Sequence, residues 1–345
     1  VVIILRGGMD GLGVFAPLDS AEYRNLRPNL SKTPQIPLAD GFGMDQRLAK
    51  LQALWASKEL AIAHAVSTPY RDKRSHFDGQ DLLESGLSDV GGTNNGWLNR
   101  ALSHMPDARA ETLLSVGRGA MLLTSGPNPA QSWAPGEDVK LVNDERGLLT
   151  HLFAHDPLFA QAAEQAFALS ATDGDDRAKG RKATAIRAQY AADRLSDDAR
   201  IAAFSIGGWD SHAQQKNALN QPLSQLADAM TVLKDGLGHH WERTLVIAMT
   251  EFGRTAHENG NRGTDHGAGG AALLAGGTLR GGHIYADWPG LAENDLYQGR
   301  DLKPTMDVRQ LPALALISLF GLSKNAVMTD VFPGLDMRAG QNFLS

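Results

Sequence analysis

Residues 1–8 read VVIILRGG, and this stretch decides the fold class. An unbroken aliphatic run stopped by glycines is typical of a parallel strand whose two faces are both covered, because neither face meets water. Similar runs return along the chain and predict further core strands, at 60–66, 200–208, 243–253 and 271–277. The runs at 112–117 and 120–126 predict two shorter strands.

Amphipathic segments alternate with these runs. Helical spacing of apolar residues is found at 48–59, 75–86, 221–237 and 308–322. Strands alternating with helices predict an α/β fold, a doubly wound and mainly parallel sheet with helices on both faces. We expect residues 1–345 to form one domain, with a helical insertion at about 155–198 whose polar centre favours an exposed segment.

Composition excludes several classes of function. Lys and Arg number 33 against 39 Asp and Glu, so the net charge of −6 gives no reason to expect nucleic acid. No apolar run approaches the ~18 residues of a membrane helix. The chain has no cysteine, so any metal must bind His, Asp, Glu or hydroxyl ligands. It starts at Val1, inside a strand, and we expect a processed N-terminus that carried a targeting signal.

Acidic and imidazole side chains gather at the predicted strand ends. Ligands of open α/β sheets bind beyond the carboxyl ends of the strands. The candidates that fall there or in adjoining glycine loops are Asp10, Asp210, His212, Glu251, Asp265 and His266. Such a set suits one or two divalent cations, and Zn, Mn, Mg and Ca all remain open. Asp265 has a simpler interpretation as a residue that caps a turn.

Ser75, in RSHFD, has two interpretations of equal weight. As the residue before a helix it is a common N-cap, with Asp78 three positions later. As a nucleophile it would benefit from the free N–H groups and the positive end of that helix. His76 is a further ligand or acid–base candidate, and Arg74 is a candidate for holding anionic oxygens.

Five separated motifs, in order along the chain, carry a resemblance. They are LRGGMDGLGVFAPLDSAEYRNLRPNL (5–30), STPYRDKRSHFDGQD (67–81), GGWDSHAQQ (207–215), TEFGRTAHENGNRGTDHGAGG (250–270) and GGHIYADWPGL (281–291). Together they resemble the family catalogued as domain of unknown function 1501. That family is similar to the alkaline phosphatase and sulfatase superfamily, which hydrolyses phosphate or sulfate esters with divalent metals at the strand ends.

The resemblance implies roles for individual residues. Asp10 resembles the first metal carboxylate, Ser75 the nucleophile at a helix N-terminus, and His266 the last metal ligand. Asp210 and His212 resemble a metal-binding pair. Glu251 stands where the superfamily has Asp, and Phe252 where it has an imidazole ligand that Asp265 or His76 would replace. Without cysteine, and without a formylglycine motif around Ser75, a sulfatase of the usual type is disfavoured.

The function expected from these observations is metal-dependent hydrolysis of a small anionic ester or a sulfated or phosphorylated glycan. Ser75 would attack, with Arg74 and His76 assisting. A non-catalytic metal-containing binding protein is the alternative, supported by the Glu251–Phe252 departure. Phosphoryl transfer on the same scaffold ranks third, because no acceptor signature is present. The resemblance also implies twin-arginine export to the bacterial periplasm.

Overall fold

The computed structural model describes residues 1–71, 74–118, 121–134, 181–337 and 342–344. In this part of the chain the strands are β1 (Val2–Leu5), β2 (Phe15–Pro17), β3 (Gln35–Pro37), β4 (Phe42–Asp45), β5 (Leu60–Ser67), β6 (Leu113–Val116), β7 (Gln131–Trp133), β8 (Ile201–Ile206), β9 (Val246–Met249), β10 (Gly270–Ala275), β11 (Ile284–Tyr285) and β12 (Met306–Asp307). The strands predicted at 1–8, 60–66, 112–117, 200–208, 243–253 and 271–277 are therefore confirmed.

The described helices are α1 (Gly11–Val14), α2 (Ala21–Leu26), α3 (Gln52–Ala56), α4 (His76–Ser85), α5 (Trp97–Leu102), α6 (Arg181–Ser196), α7 (Gln215–Ala218), α8 (Asn220–Leu237), α9 (Gln310–Phe320) and α10 (Lys324–Ala326). Pro312 is tolerated in α9 because it lies in the first turn, where its missing N–H has no partner to lose. None of these helices combines the length and the apolarity needed to cross a bilayer.

Nine of the described strands form one mixed sheet, in the order β11-β5-β10-β9-β1-β8-β6-β7, with β12 also pairing β5. The strand β10 runs antiparallel to both of its neighbours, and the other ladders are parallel. The sheet is thus mixed, because the chain enters β10 from the edge at which β9 ends. Strands β2, β4 and β3 form a separate antiparallel sheet.

The large sheet is covered on both faces, as its aliphatic strands require. Successive side chains of β1 point to opposite sides, so Ile3 and Leu5 join one core, and Val2 and Ile4 join the other. Residues of α6 and α8 fill the first core, and residues of α5 and α9 fill the second. The α/β class with helices on both faces is therefore confirmed.

Two local expectations have different outcomes. The strand predicted at 120–126 is wrong for the described part of that run, because Leu122–Thr124 forms a 3-10 turn. Of the insertion expected at about 155–198, residues 155–180 lie outside the described residues. The described remainder contains α6, which packs on α8 and buries Ala188, Ala191 and Ala192.

Candidate metal centre

The sheet topology brings four loops to one place. Strands β9, β1 and β8 are parallel neighbours, so the loops after them leave from the same edge. Because β10 is antiparallel to β9, the loop that follows β9 is also the loop that leads into β10, and it lies at this edge. Helix α4 follows β5, which runs parallel to β9, and its amino end lies there too. Polar residues far apart in the sequence therefore meet beyond the sheet.

Three imidazoles and one carboxylate converge at this edge. His212 Nε2 lies 2.9 Å from Asp210 Oδ1 and 3.0 Å from His266 Nε2. His266 Nε2 lies 3.3 Å from the same carboxylate oxygen, and His76 Nε2 lies 3.4 Å from Asp210 Oδ2. Ligand atoms of His76, Asp210 and His266 all lie within 4.8 Å of one another. We call the four residues His76, Asp210, His212 and His266 the imidazole cluster.

Each ring in the imidazole cluster donates its Nδ1 proton to an oxygen acceptor. The distances are 2.8 Å from His76 to Glu251, 3.0 Å from His212 to Asp265 and 2.9 Å from His266 to the carbonyl of Arg74. Carboxylates and carbonyls only accept, so in the neutral ring the Nε2 atom keeps its lone pair. Outer acceptors orient metal-binding histidines in the same way. The rings thus present three Nε2 atoms to one carboxylate.

Local electrostatics keep the carboxylate ionised. Burial alone would raise the pKa of Asp210, but the hydrogen bond and charge of Arg254 outweigh it and lower that pKa to about 2. Burial lowers the pKa of His266, which favours its neutral form. The hydrogen bond to Glu251 raises the pKa of His76. A metal ion at this point would therefore have to displace a proton held by His76 at low pH.

The residues fit a divalent metal ion. The Nε2 atom of His76 is buried and makes no hydrogen bond within the described part of the chain. The 3.0 Å between the Nε2 atoms of His212 and His266 is close to the ~3.3 Å that neighbouring nitrogens have in a tetrahedral zinc site. Two facing lone pairs repel each other unless a proton or a cation lies between them. Three imidazoles and a carboxylate are the donor set of many such sites.

The glycines of the loop before β10 allow two close backbone contacts. A Cβ on Gly267 would lie 2.4 Å from the carbonyl carbon of Arg254, and a Cβ on Gly263 would lie 2.3 Å from that of His212. The amide of Gly267 donates to the Gly253 carbonyl at 2.9 Å, beside an antiparallel bridge between Arg254 and His266. Glycine is needed at both positions because any side chain would push the two backbone segments apart.

Asp10 lies outside the imidazole cluster. It is 1% exposed, and its two oxygens accept from Arg27 Nη1 at 2.6 Å and Nη2 at 2.9 Å. Gln215 Nε2 donates to Asp10 Oδ2 at 2.5 Å. Burial would raise the pKa of Asp10, but Arg27 outweighs burial and lowers it. The described contacts of Asp10 are those of a buried ion pair.

Ser75 precedes α4, one residue from the imidazole cluster. Its Oγ accepts from the amide of Asp78 at 3.4 Å, so the predicted N-cap is present. The helix ends at Gly86, which is left-handed at φ +71°, so the predicted boundaries 75–86 are confirmed. Arg74 is exposed and left-handed at φ +56°, an unusual conformation for a residue with a side chain. This conformation accompanies the contact of its carbonyl with His266.

Glu251 and Asp265 occupy an outer layer rather than the imidazole cluster. Glu251 is fully buried, and its Oε1 accepts from His76, from the amide of Gly7 at 2.9 Å and from Gln80 at 3.2 Å. Burial would raise the pKa of Glu251, but hydrogen bonds, that from His76 foremost, lower it. The hydrogen bond from His212 lowers the pKa of Asp265.

Sequence reasoning missed three contributors. Gln80 lies one helical turn after His76, and that i, i+4 spacing was the available signal. Phe252 stacks on the His76 ring at 5.0 Å and 27°, and lies 5.0 Å from the His266 ring. Arg254 is buried against Asp210. The position of Arg254 next to Gly253, after a strand, did not indicate that its side chain is buried.

Comparison with known proteins places the chain in a family. No curated protein matches the sequence significantly. The family model described as protein of unknown function, DUF1501, matches residues 55–332. This span includes the whole imidazole cluster and most of the chain. The chain therefore belongs to the DUF1501 family of proteins of unknown function.

Proposed function

We propose that the protein is a divalent-metal-dependent hydrolase of phosphate or sulfate esters, with one ion bound by the imidazole cluster. The observation that supports this best is the convergence of three oriented Nε2 atoms on the Asp210 carboxylate. Imidazole ligands favour Zn and similar transition metals over Ca and Mg, and carboxylates also suit Mn. We therefore propose Zn²⁺ or Mn²⁺. The bound ion would polarise an ester oxygen.

The proposed nucleophile is Ser75. The hydrogen bond by which Ser75 Oγ caps α4 is 3.4 Å long. It is longer than an ordinary hydrogen bond, so it holds the hydroxyl only weakly. The positive end of α4 favours the alkoxide. Ser75 Oγ would form a bond to phosphorus or sulfur as the alcohol leaves, and water would then cleave the covalent ester and restore the hydroxyl.

The proposed substrate is a small anionic ester or a sulfated or phosphorylated glycan. The exposed Arg74 side chain, next to Ser75, would hold its anionic oxygens. The likeness of the motifs to the alkaline phosphatase and sulfatase superfamily supports the same reaction class, as does the position of the imidazole cluster at the strand ends. We also propose, on that resemblance alone, that the protein is exported to the periplasm.

The first test is metal content. Protein purified without chelator or nickel should contain about one equivalent of Zn or Mn by elemental analysis. His266→Ala removes one Nε2 ligand and should lose most of it, whereas His283→Ala, at an exposed ring in a different loop, should keep it. Metal-free wild type that takes up no added Zn²⁺ or Mn²⁺ would contradict the proposal.

The second test separates catalysis from binding. Ser75→Ala should abolish turnover in a screen of aryl phosphate and aryl sulfate esters while metal content stays unchanged. Ser20→Ala is the matched control, because Ser20 caps α2 by accepting from Tyr23 at 3.0 Å. Ser20→Ala should lose about 1 kcal/mol of folding stability as a lost cap, and Ser75→Ala no more than that, because its cap bond is longer. Equal ester turnover in Ser75→Ala and Ser20→Ala would exclude Ser75 as nucleophile.

A second function has one observation in its favour. Phe252, 3% exposed, packs on His76 and His266 where the resemblance implies another imidazole. A centre closed on that side would suit a metal-containing binding protein that recognises an anionic glycan. Bound metal together with no turnover of any ester would favour this alternative.

A further inference from the structure

Arg254 is a fully buried cation that lies behind the imidazole cluster. Its side chain has no exposed surface. The guanidinium donates to five acceptors: the carbonyls of Gly8 at 2.7 Å, Gly7 at 2.5 Å, Trp209 at 3.2 Å and Thr264 at 3.1 Å, and Asp210 Oδ1 at 2.5 Å. The carboxylate is thus the one charged partner among these acceptors.

These acceptors belong to separate loops. Gly7 and Gly8 follow β1, Trp209 and Asp210 follow β8, and Thr264 lies in the loop that leads to β10. Arg254 itself lies in this same loop, which joins β9 to β10, so a single side chain joins three strand-end loops at this edge. Loops at strand ends move independently unless something joins them, and here the joining group also contacts the candidate metal carboxylate.

We infer that Arg254 is a positioning residue for the metal centre: its buried guanidinium joins the three loops and holds Asp210 toward His212 and His266. The inference rests on the proposed metal site. This role of Arg254 is not substrate binding, because a side chain with no exposed surface cannot reach an ester. Arg254 also supplies a donor to the four backbone carbonyls. Within the described part of the chain, each of them would otherwise be buried without a donor.

The positive charge of Arg254 and its shape have opposite effects on a bound cation. The charge repels a metal ion, whereas the planar set of donors fixes the carboxylate and the loops. Arg254→Met would change both, so its result would be ambiguous. Arg254→Lys keeps the charge but loses the planar set of donors, since an ammonium offers three donors from one point and cannot span three loops. This substitution isolates positioning.

The experiment measures Zn²⁺ affinity by competition with a fluorescent chelator. Arg254→Lys should weaken zinc binding by about 10- to 100-fold, the usual effect of removing an outer partner of a ligand. The matched control is Arg27→Lys. Arg27 is also fully buried, and it joins Asp10 to the carbonyls of Ala256 and Thr255. Both variants should lose similar folding stability, but Arg27→Lys should bind zinc as wild type does.

The outcomes are distinct. If wild type and Arg254→Lys bind zinc equally, the inference is overturned while the proposed function stands. If both arginine variants lose affinity equally, general loosening explains the effect and the inference is again overturned. If wild type binds neither Zn²⁺ nor Mn²⁺, the proposed function fails, and the inference fails with it.

A measurement on wild type covers the case in which Arg254→Lys does not fold. The amide of Trp209 donates to the Arg6 carbonyl at 3.3 Å, and that of Thr264 donates to the Ser211 carbonyl at 3.1 Å. Added Zn²⁺ should slow hydrogen exchange at both amides together, because Arg254 connects them to Asp210. The Arg47 amide, bonded to Asp45 at 2.9 Å, is the reference. Unchanged exchange at Trp209 and Thr264, with bound zinc, would contradict the inference.

Discussion

Replacing His64 by glutamine should flatten the dependence of folding stability on pH in acid. His64 is fully buried in β5. Its Nδ1 accepts from the amide of Ala65 at 2.8 Å, and its Nε2 donates to the carbonyl of Phe15 at 3.0 Å. A second ring proton would put two donors face to face at Nδ1. Burial accordingly lowers the pKa of His64 from 6.5 to about 4.

The magnitude follows from proton linkage. In the unfolded chain His64 takes up a proton near pH 6.5, whereas in the folded chain it does so only near pH 4. His64 therefore contributes fully above pH 6.5, and its contribution is lost as the pH falls through this window. The difference of about 2.5 between the two pKa values, at about 1.36 kcal/mol for each unit, gives a total of ~3 kcal/mol. Roughly 1 kcal/mol should be lost by about pH 5.5.

Urea unfolding of wild type and His64→Gln at several pH values measures this loss. The glutamine keeps a donor and an acceptor but does not titrate, so the difference between the two stability curves reports His64 alone. His283→Gln, at an exposed ring, should run parallel to wild type. Parallel curves for wild type and His64→Gln between about pH 8 and pH 4.5 would refute the reasoning.

Three further predictions test the layers around the imidazole cluster. Asp265→Asn should weaken zinc binding by about 10- to 100-fold in a competition titration, with an unchanged melting temperature without zinc because Asp265 is half exposed; unchanged affinity would contradict its orienting role. Arg27→Met should cost about 3–5 kcal/mol in urea unfolding, because it leaves the Asp10 carboxylate buried and unpaired; a loss below about 1 kcal/mol would contradict the ion pair. Gly267→Ala should lower the unfolding midpoint strongly because its Cβ meets the Arg254 carbonyl, while Gly260→Ala, with open space around it, should be nearly neutral; similar midpoints would show that the backbone at Gly267 is not in close contact with that at Arg254.

The strands and much of the candidate site could be predicted because their signals are local. An aliphatic run such as VVIILRGG identifies a buried strand without its neighbours. The N-cap at Ser75 and the left-handed Gly86 could likewise be read from adjacent residues. Asp210 and His212 were predicted as a pair from their spacing after a strand, and the structure brings both into the imidazole cluster.

Tertiary structure decided which polar side chains contact each other. The antiparallel direction of β10 depends on its pairing with β9 and with β5, which is far away in sequence. The loop that joins β9 to β10 holds His266 at the strand ends. Asp10 was predicted as a metal ligand, but in the structure both of its oxygens accept hydrogen bonds from Arg27. The sequence by itself determined the α/β class and the chemical types available at the site. The sequence did not predict which polar side chains contact each other, because these long-range contacts depend on the order of the strands in the sheet and on loop packing. Neither leaves a periodic signal along the chain.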